Sequence, residues 1–236
     1  MHGDGLLSEL HAHTTWSDGT LTLTELVDLY GRNGFDVLCV TDHALPEGRP
    51  YLTERAYARY IAAIEREAKR AREVYDLLLV PGLELTFGGE DPDEAGHALA
   101  LGLRSWVALD RGLEHALREA RDRGAAIVAA HPHGPDGDPR PLRTTRWFWR
   151  NRDRLAGAVD RWELFNRTQT FGWIADLRLP PIASGDVHRP EHLESWKTIV
   201  PCRKSERALL DHLRSDRTAY VVPWHLRAAP ARVAAA

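Results

Sequence analysis

Short apolar runs alternate with longer amphipathic stretches along the whole chain. The runs fall at 6–10, 36–41, 77–86, 97–101, 126–130, 158–165, 182–184 and 198–200. Dense in Leu, Ile, Val and Ala, they read as buried strands. The run 77–86 carries Pro81-Gly82, where a break is expected because proline donates no ladder hydrogen bond. Helical patterns lie between the runs. The stretch 22–33 opens at Thr22 with Glu25 three residues on, the spacing of a capping box. The stretch 53–75 is rich in Ala, Glu and Arg and reads as an exposed amphipathic helix. The stretch 113–123 stops at Gly124, a usual helix terminator. Further helices are expected at 145–155, 171–177 and 205–215. Strand, helix, strand repeated about seven times predicts parallel βα units closing into a barrel. No interior linker or repeat interrupts the pattern, so residues 1–225 are expected to form one domain and the Ala-rich 226–236 a loose tail.

Composition narrows the function classes. With 236 residues, 43% of them hydrophobic, the chain can bury a full core. The formal charge of -3 disfavours a long polyanion as the partner. Cys39 and Cys202 are too few for a disulfide scaffold and too far apart for a metal-binding pair. Cys39 sits within Val37-Leu38-Cys39-Val40 and reads as a small core residue. The start, Met1-His2-Gly3-Asp4-Gly5, has no basic region leading into an apolar one. Nor does any run approach the ~20 apolar residues of a membrane helix. A soluble cytoplasmic protein is expected.

The chemistry-bearing residues cluster where the strand candidates end. His11 and His13 leave the first run, and Ser17-Asp18-Gly19 follows them. Two side chains at i, i+2 of extended chain project from the same face. Thr41-Asp42-His43 leaves the second run, and Glu84 follows Pro81-Gly82-Leu83. His131 closes 126–130, while Asp186 and His188 end the run at 182–184 and repeat the i, i+2 spacing. His97 begins its run instead, and would reach the same mouth only on an antiparallel strand. Six of the twelve histidines thus fall at strand boundaries, where chance would scatter them. Barrel strands end at one common mouth, the usual place for catalysis. A metal site is therefore predicted.

These motifs also carry a family resemblance. His11-Ala12-His13, Ser17-Asp18-Gly19-Thr20, Thr41-Asp42-His43, Gly82-Leu83-Glu84, Gly96-His97, Ala130-His131-Pro132 and Gly185-Asp186-Val187-His188 resemble the polymerase and histidinol phosphatase (PHP) superfamily. The likeness runs from about residue 8 to 190, and every usual ligand position is filled. It implies a distorted (β/α)7 TIM-like barrel of the α/β class, with a trinuclear metal centre and phosphoesterase chemistry. The resemblance implies a first metal on His11, His13, Glu84 and Asp186. A second would share Glu84 and add His97 and His131, and a third would use Asp18, His43 and His188. Some relatives carry His where Asp18 stands. Nitrogen and oxygen donors without thiolate suit two to three Mn²⁺, Fe²⁺ or Zn²⁺ ions.

A carboxylate such as Glu84 bridging two cations holds them roughly 3.5–4 Å apart, which favours direct attack on phosphorus by metal-activated hydroxide. No Ser or Cys nucleophile is then needed. Glu84 and Asp186 are expected to be catalytic through the metals. His133 would be a proton donor to the leaving oxygen, or else an exposed loop residue. Arg167 and Arg189 follow strand ends and would contact phosphate or form structural ion pairs. Arg143, Arg146, Arg150 and Arg154 share a helical face. Arg143 or Arg146 would then fork a phosphate and Trp147 cover a base. The alternative is a solvated basic face with Trp147 and Trp149 packed on the barrel. Trp16 would line the mouth or pack beneath the first loop. The favoured function is a phosphomonoesterase (phosphoric ester hydrolase) acting on a small soluble phosphate, of the nucleotide or histidinol-phosphate type. An oligonucleotide-trimming nuclease is the second reading, and a non-catalytic metal-stabilised module the third.

Overall fold

A computed structural model describes residues 5–44, 51–88, 94–134, 146–155 and 157–225. In chain order the elements are β1 (Leu6–Glu9), α1 (Leu23–Arg32), β2 (Val37–Val40), β3 (His43–Ala44), α2 (Glu54–Tyr75), β4 (Leu78–Phe87) and β5 (Gly96–Leu101). Then come α3 (Leu113–Asp122), β6 (Ala126–Ala129), α4 (Trp147–Leu155), β7 (Arg161–Asn166), β8 (Gln169–Thr170) and α5 (Trp173–Asp176). The last are β9 (Pro181–Ser184), a 3₁₀ turn Pro190–Leu193, β10 (Ser195–Val200), α6 (Glu206–Leu213) and β11 (Tyr220–Trp224). The expected tail, 226–236, lies outside the described residues.

The strands form one curled sheet in the order β11-β10-β1-β2-β4-β5-β6-β7, with β9 joined to β7. This is a distorted TIM-like barrel, but its units are not uniformly parallel. Neighbours β1–β2, β2–β4, β6–β7 and β7–β9 run parallel. Antiparallel pairs are β4–β5, β5–β6, β1–β10 and β10–β11. The expected break at Pro81-Gly82 is absent. Instead β4 runs through, paired on one edge with β2 up to Pro81 and with β3 from Glu84, and on the other edge with β5 from Gly82 onward. Proline is tolerated because its ladder with β2 ends there, while its carbonyl still accepts from Gly102 N at 2.7 Å.

Alternate side chains of each strand go to opposite, equally apolar faces. Val37 and Cys39 join Val80, Leu99, Val128 and Ile182 in one buried cluster, together with Leu209 and Leu213 of α6. Leu38 and Val40 join Leu26, Tyr30, Ile64, Leu79 and Ile127 between sheet and helices. That two-sided burial is why the strands read as continuous hydrophobic runs. The capping box of α1 forms as expected: Thr22 accepts from Glu25 N, and Glu25 accepts from Thr22 N at 2.8 Å. Helix α2 is less exposed than its composition suggested, since Tyr57, Tyr60, Ile61 and Ile64 are buried. Arg161, also buried, donates to the carbonyls of His212, Leu213, Ser215 and Arg217, closing the C-terminal end of α6. Among the described residues, no helix is long and apolar enough to cross a membrane.

The ring has a seam. Between β9 and β10 a side chain replaces the backbone ladder: Thr198 Oγ1 accepts from Ala183 N at 2.9 Å and donates to Ala183 O at 2.7 Å. Further up, a single parallel bridge joins Ala12 to Val187.

Candidate metal centre

That bridge is where the site begins. His13 N donates to Val187 O at 2.8 Å, and Val187 N donates to His11 O at 3.0 Å. The residues flanking Ala12 and Val187 therefore point together into the mouth, His11 and His13 from one segment, Asp186 and His188 from the other. Across the ring, β3 sets His43 in register with Glu84. Because β5 runs antiparallel to β4, its first residues lie beside the end of β4, and His97 reaches Glu84. The antiparallel condition attached to His97 is met. His131 follows β6 and also reaches Glu84.

The donor atoms converge closely. His11 Nε2 lies 3.4 Å from both Glu84 Oε2 and Asp186 Oδ1. His13 Nε2 lies 3.3 Å from Glu84 Oε2 and 3.4 Å from Asp186 Oδ1. Ligands about 2.1 Å from one tetrahedral ion stand about 3.4 Å apart. Among the described residues, neither His11 Nε2 nor His13 Nε2 has a hydrogen-bond partner, and orphaned buried nitrogens of this kind demand an explanation. A metal ion shared between the two rings would supply it. On the other oxygen of Glu84, His97 Nδ1 lies at 2.9 Å and His131 Nε2 at 3.2 Å. A third group forms around Asp18 Oδ1, with His188 Nε2 at 3.2 Å and His43 Nε2 at 3.6 Å. His43 also places Nδ1 2.9 Å from Glu84 Oε2. The three groups touch, so several buried His, Glu and Asp clusters here can bind metal ions.

The electrostatics favour cations. Burial alone would raise the Glu84 carboxyl, yet the imidazoles of His43, His11 and His97 hold it well below its usual range. Asp186 is likewise lowered against burial, by His11, His13 and Arg167. Asp18 is depressed against burial by His188, His43 and His13. His11 is raised well above an ordinary imidazole, because Asp186, Glu84 and Glu163 outweigh its burial. His13 moves the other way, through burial and the neighbouring His43 and His188. A field that holds carboxylates ionised and attracts a proton to His11 attracts a divalent cation still more strongly.

Residues that the strand-end pattern did not reveal hold the donors in place. Glu163 Oε1 accepts from His11 Nδ1 at 2.9 Å, which leaves the lone pair of Nε2 facing the mouth. Its Oε2 accepts from His131 N at 2.6 Å and from Asn166 Nδ2 at 2.7 Å, and Ser184 Oγ donates to Oε1. The signal available in sequence was a carboxylate inside an apolar strand, one turn of the pleat from Arg161. Asp42 is a second support. It accepts from Thr14 N and Thr14 Oγ1 at 2.8 Å each and from Ser17 Oγ at 2.6 Å, tying the end of β2 to the turn that carries Asp18. That turn needs Gly19, since a Cβ there would stand 2.4 Å from His13 O. His131 and Asp186 adopt φ of 31° and 43°, left-handed values rare for side-chain-bearing residues and commonest at functional sites.

The remaining candidates fall out unevenly. Arg167 donates twice to Asp186 O, at 2.9 and 2.6 Å, and lies 3.0 Å from Asp186 Oδ2 and 2.7 Å from His188 Nδ1. It is therefore at the mouth and already ion-paired. Arg189 is exposed beside His188. His133 is not an exposed loop residue: it is buried, edge-on to Phe171 at 4.8 Å. Arg143 and the start of the arginine-rich stretch lie outside the described residues. In α4, Trp149 packs edge-on to Trp173 at 5.1 Å and Phe148 on Trp162 at 5.8 Å, while Arg154 pairs with Glu114 at 2.9 Å. Trp16 packs on Tyr60 at 5.7 Å.

No family model matches the sequence, and no curated protein does. Solved structures do resemble it. A two-domain protein from Bacteroides vulgatus ATCC 8482, containing a predicted PHP-like metal-dependent phosphoesterase, is similar with a TM-score of 0.71 at 24% identity. The match covers 92% of this chain and 64% of that one, so the chain spans just under two thirds of that relative. A proposed metal-dependent phosphoesterase from Bifidobacterium adolescentis ATCC 15703 is similar at TM-score 0.51 and 17% identity, over 77% of this chain and 87% of that one. An amidohydrolase from Chromobacterium violaceum, solved with sulfate and no metal, is similar at TM-score 0.54 and 17% identity, over 78% and 88%. The chain has the PHP-like barrel fold.

Proposed function

We propose that this chain is a metal-dependent phosphoesterase of the PHP kind that hydrolyses a small soluble phosphomonoester, of the nucleotide or histidinol-phosphate type. The observation that carries this reading is the convergence of His11, His13, Glu84 and Asp186 at ligand-edge distances. These four would hold a first ion; Glu84, His97 and His131 a second; Asp18, His43 and His188 a third. Bound there, divalent cations supply an acidified water near neutral pH and neutralise the charge that builds on a phosphate in hydrolysis.

The chain's own groups do the rest. Glu163 fixes the His11 ring, and His188 Nδ1, held 3.0 Å from Asp186 O and 2.7 Å from the Arg167 guanidinium, leaves Nε2 facing Asp18. Arg167 holds Asp186 in its left-handed conformation and presents cationic charge at the rim. Arg189 adds exposed charge beside it for the outer phosphate oxygens. His133, buried two residues beyond His131, is assigned the proton for the leaving oxygen. The rings of α4 favour the small substrate over a nucleic-acid strand, because Phe148 and Trp149 are engaged in packing rather than set out as a stacking surface.

Phosphate release by Mn²⁺-loaded protein tests the reading, on nucleoside monophosphates, nucleoside bisphosphates, histidinol phosphate and sugar phosphates, with an EDTA-treated control. Chelator-sensitive release from one class is the expected result. Silence across the panel with cleavage of labelled oligonucleotides would replace it with the nuclease reading.

A further inference from the structure

The two segments that supply four of the nine donors, one with His11 and His13 and the other with Asp186 and His188, meet at the seam. Among the described residues, the Ala12–Val187 bridge and one bond from Thr20 N to His188 O, at 2.8 Å, join them by backbone. Just beneath it lies a fully buried ion pair, Glu9 Oε2 to Lys197 Nζ at 2.7 Å. Among the described residues, neither forms a hydrogen bond or ion pair with a donor side chain. Burying such a pair is costly, and an apolar pair in its place is often neutral or stabilising, so stability alone does not account for it.

Its hydrogen bonds do. Glu9 Oε1 accepts from Leu10 N at 3.1 Å and His11 N at 3.2 Å on the β1 side, and from Gly185 N at 2.8 Å on the β9 side. One oxygen thus ties the backbone of His11 to the residue preceding Asp186. The other oxygen is held by Lys197 from β10 and by Tyr30 of α1, whose hydroxyl donates at 3.0 Å. Lys197 is itself steadied by Ser195 Oγ at 2.6 Å. The carboxylate cannot rotate without breaking a bond to one of four elements. Gly185 is part of the fit, because a Cβ there would stand 2.6 Å from Glu9 Oε2 and 2.8 Å from Lys197 Nζ.

We propose that Glu9 is a positioning residue, with Lys197 as its counter-ion: its carboxylate clamps the barrel seam and so sets the spacing between the His11/His13 donors and the Asp186/His188 donors. The proposal rests on the metal-centre reading above. It makes metal affinity depend on an acceptor at position 9 rather than on charge at that position.

Cobalt(II) titration of the full chain, read by visible absorption, tests this alongside thermal melting. Glu9→Ala/Lys197→Met removes the acceptor and should weaken cobalt binding about 10- to 100-fold with an altered spectrum. Glu9→Gln/Lys197→Met removes both charges but keeps an oxygen for the three N–H groups, and should bind within about threefold of wild type. Arg161→Met, which strips the carbonyl clasp on α6, should lower the melting temperature and leave cobalt binding unchanged. A folded Glu9→Ala/Lys197→Met protein with wild-type cobalt affinity and spectrum overturns the proposal, as does equal loss in both double variants. If the alanine variant does not fold, Gly185→Ala wedges the pair from the other side, and wild-type affinity there overturns it equally. Wild-type protein that takes no cobalt would overturn the metal-centre reading itself, and this one with it.

Discussion

The two walls of the mouth are built differently. Glu84, His97 and His131 sit on β4, β5 and the end of β6, strands joined by unbroken antiparallel ladders. Backbone ladders carry those donors, with one side-chain brace where Glu163 Oε2 accepts from His131 N. His11, His13, Asp186 and His188 sit across the seam, where one bridge, a bond from Thr20 N to His188 O and the Thr198 hydroxyl do the work of a ladder. There the spacing is delegated to buried side chains: Glu9, Lys197, Glu163 and Arg167. A site can thus be rigid by ladder on one side and by carboxylate bracing on the other. The braced side is the one that point mutations should loosen without unfolding the protein.

Four substitutions probe that contrast in order of effect. Glu84 serves both walls, so Glu84→Ala should cut phosphate release at least about 100-fold, more than loss of any supporting residue. Near-normal turnover in a variant with intact circular dichroism would sink the shared-carboxylate reading. Glu163→Ala acts mainly on the braced wall, through His11, and touches the other only at His131 N. It removes the acceptor of the His11 ring and should cost about 10- to 100-fold in metal affinity or activity, measured by metal content and turnover with melting as the control. Thr198→Val keeps the shape but leaves Ala183 N–H and C=O without their partner, which should cost about 1–3 kcal/mol in urea denaturation. A neutral result would mean that the seam does not depend on that hydroxyl. Thr22→Ala removes a cap far from the mouth and should cost about 1 kcal/mol with activity unchanged. An activity loss there would show that α1 is coupled to the centre.

Legibility differed along the same line. The strand runs announced themselves because both sheet faces are buried, as Val37 to Val40 illustrate. The donors announced themselves because His and Asp recur at strand ends, where a barrel gathers side chains. The supports did not. Glu163 lies inside a strand and Glu9 one residue before Leu10-His11, positions where a lone carboxylate carries no periodic signal. Strand direction was hidden as well, since an apolar run reads the same towards either end. That is why the uniformly parallel expectation failed at β5 and β10, and why His97 looked misplaced until β5 proved antiparallel.

What the sequence by itself determined is most of the elements (β3, β8 and β11 excepted), the capped α1, the α/β class and the residue types available for a metal centre. All of these follow from short-range periodicity and from spacing along one chain. Only the tertiary structure decided which donors share an ion-sized gap, that β4 runs through Pro81, and that the ring closes by side chains. Those outcomes depend on contacts between residues as far apart as Glu9 and Gly185 or His11 and Glu163. Such pairings are set by how the sheet curls, and no local pattern encodes the curl.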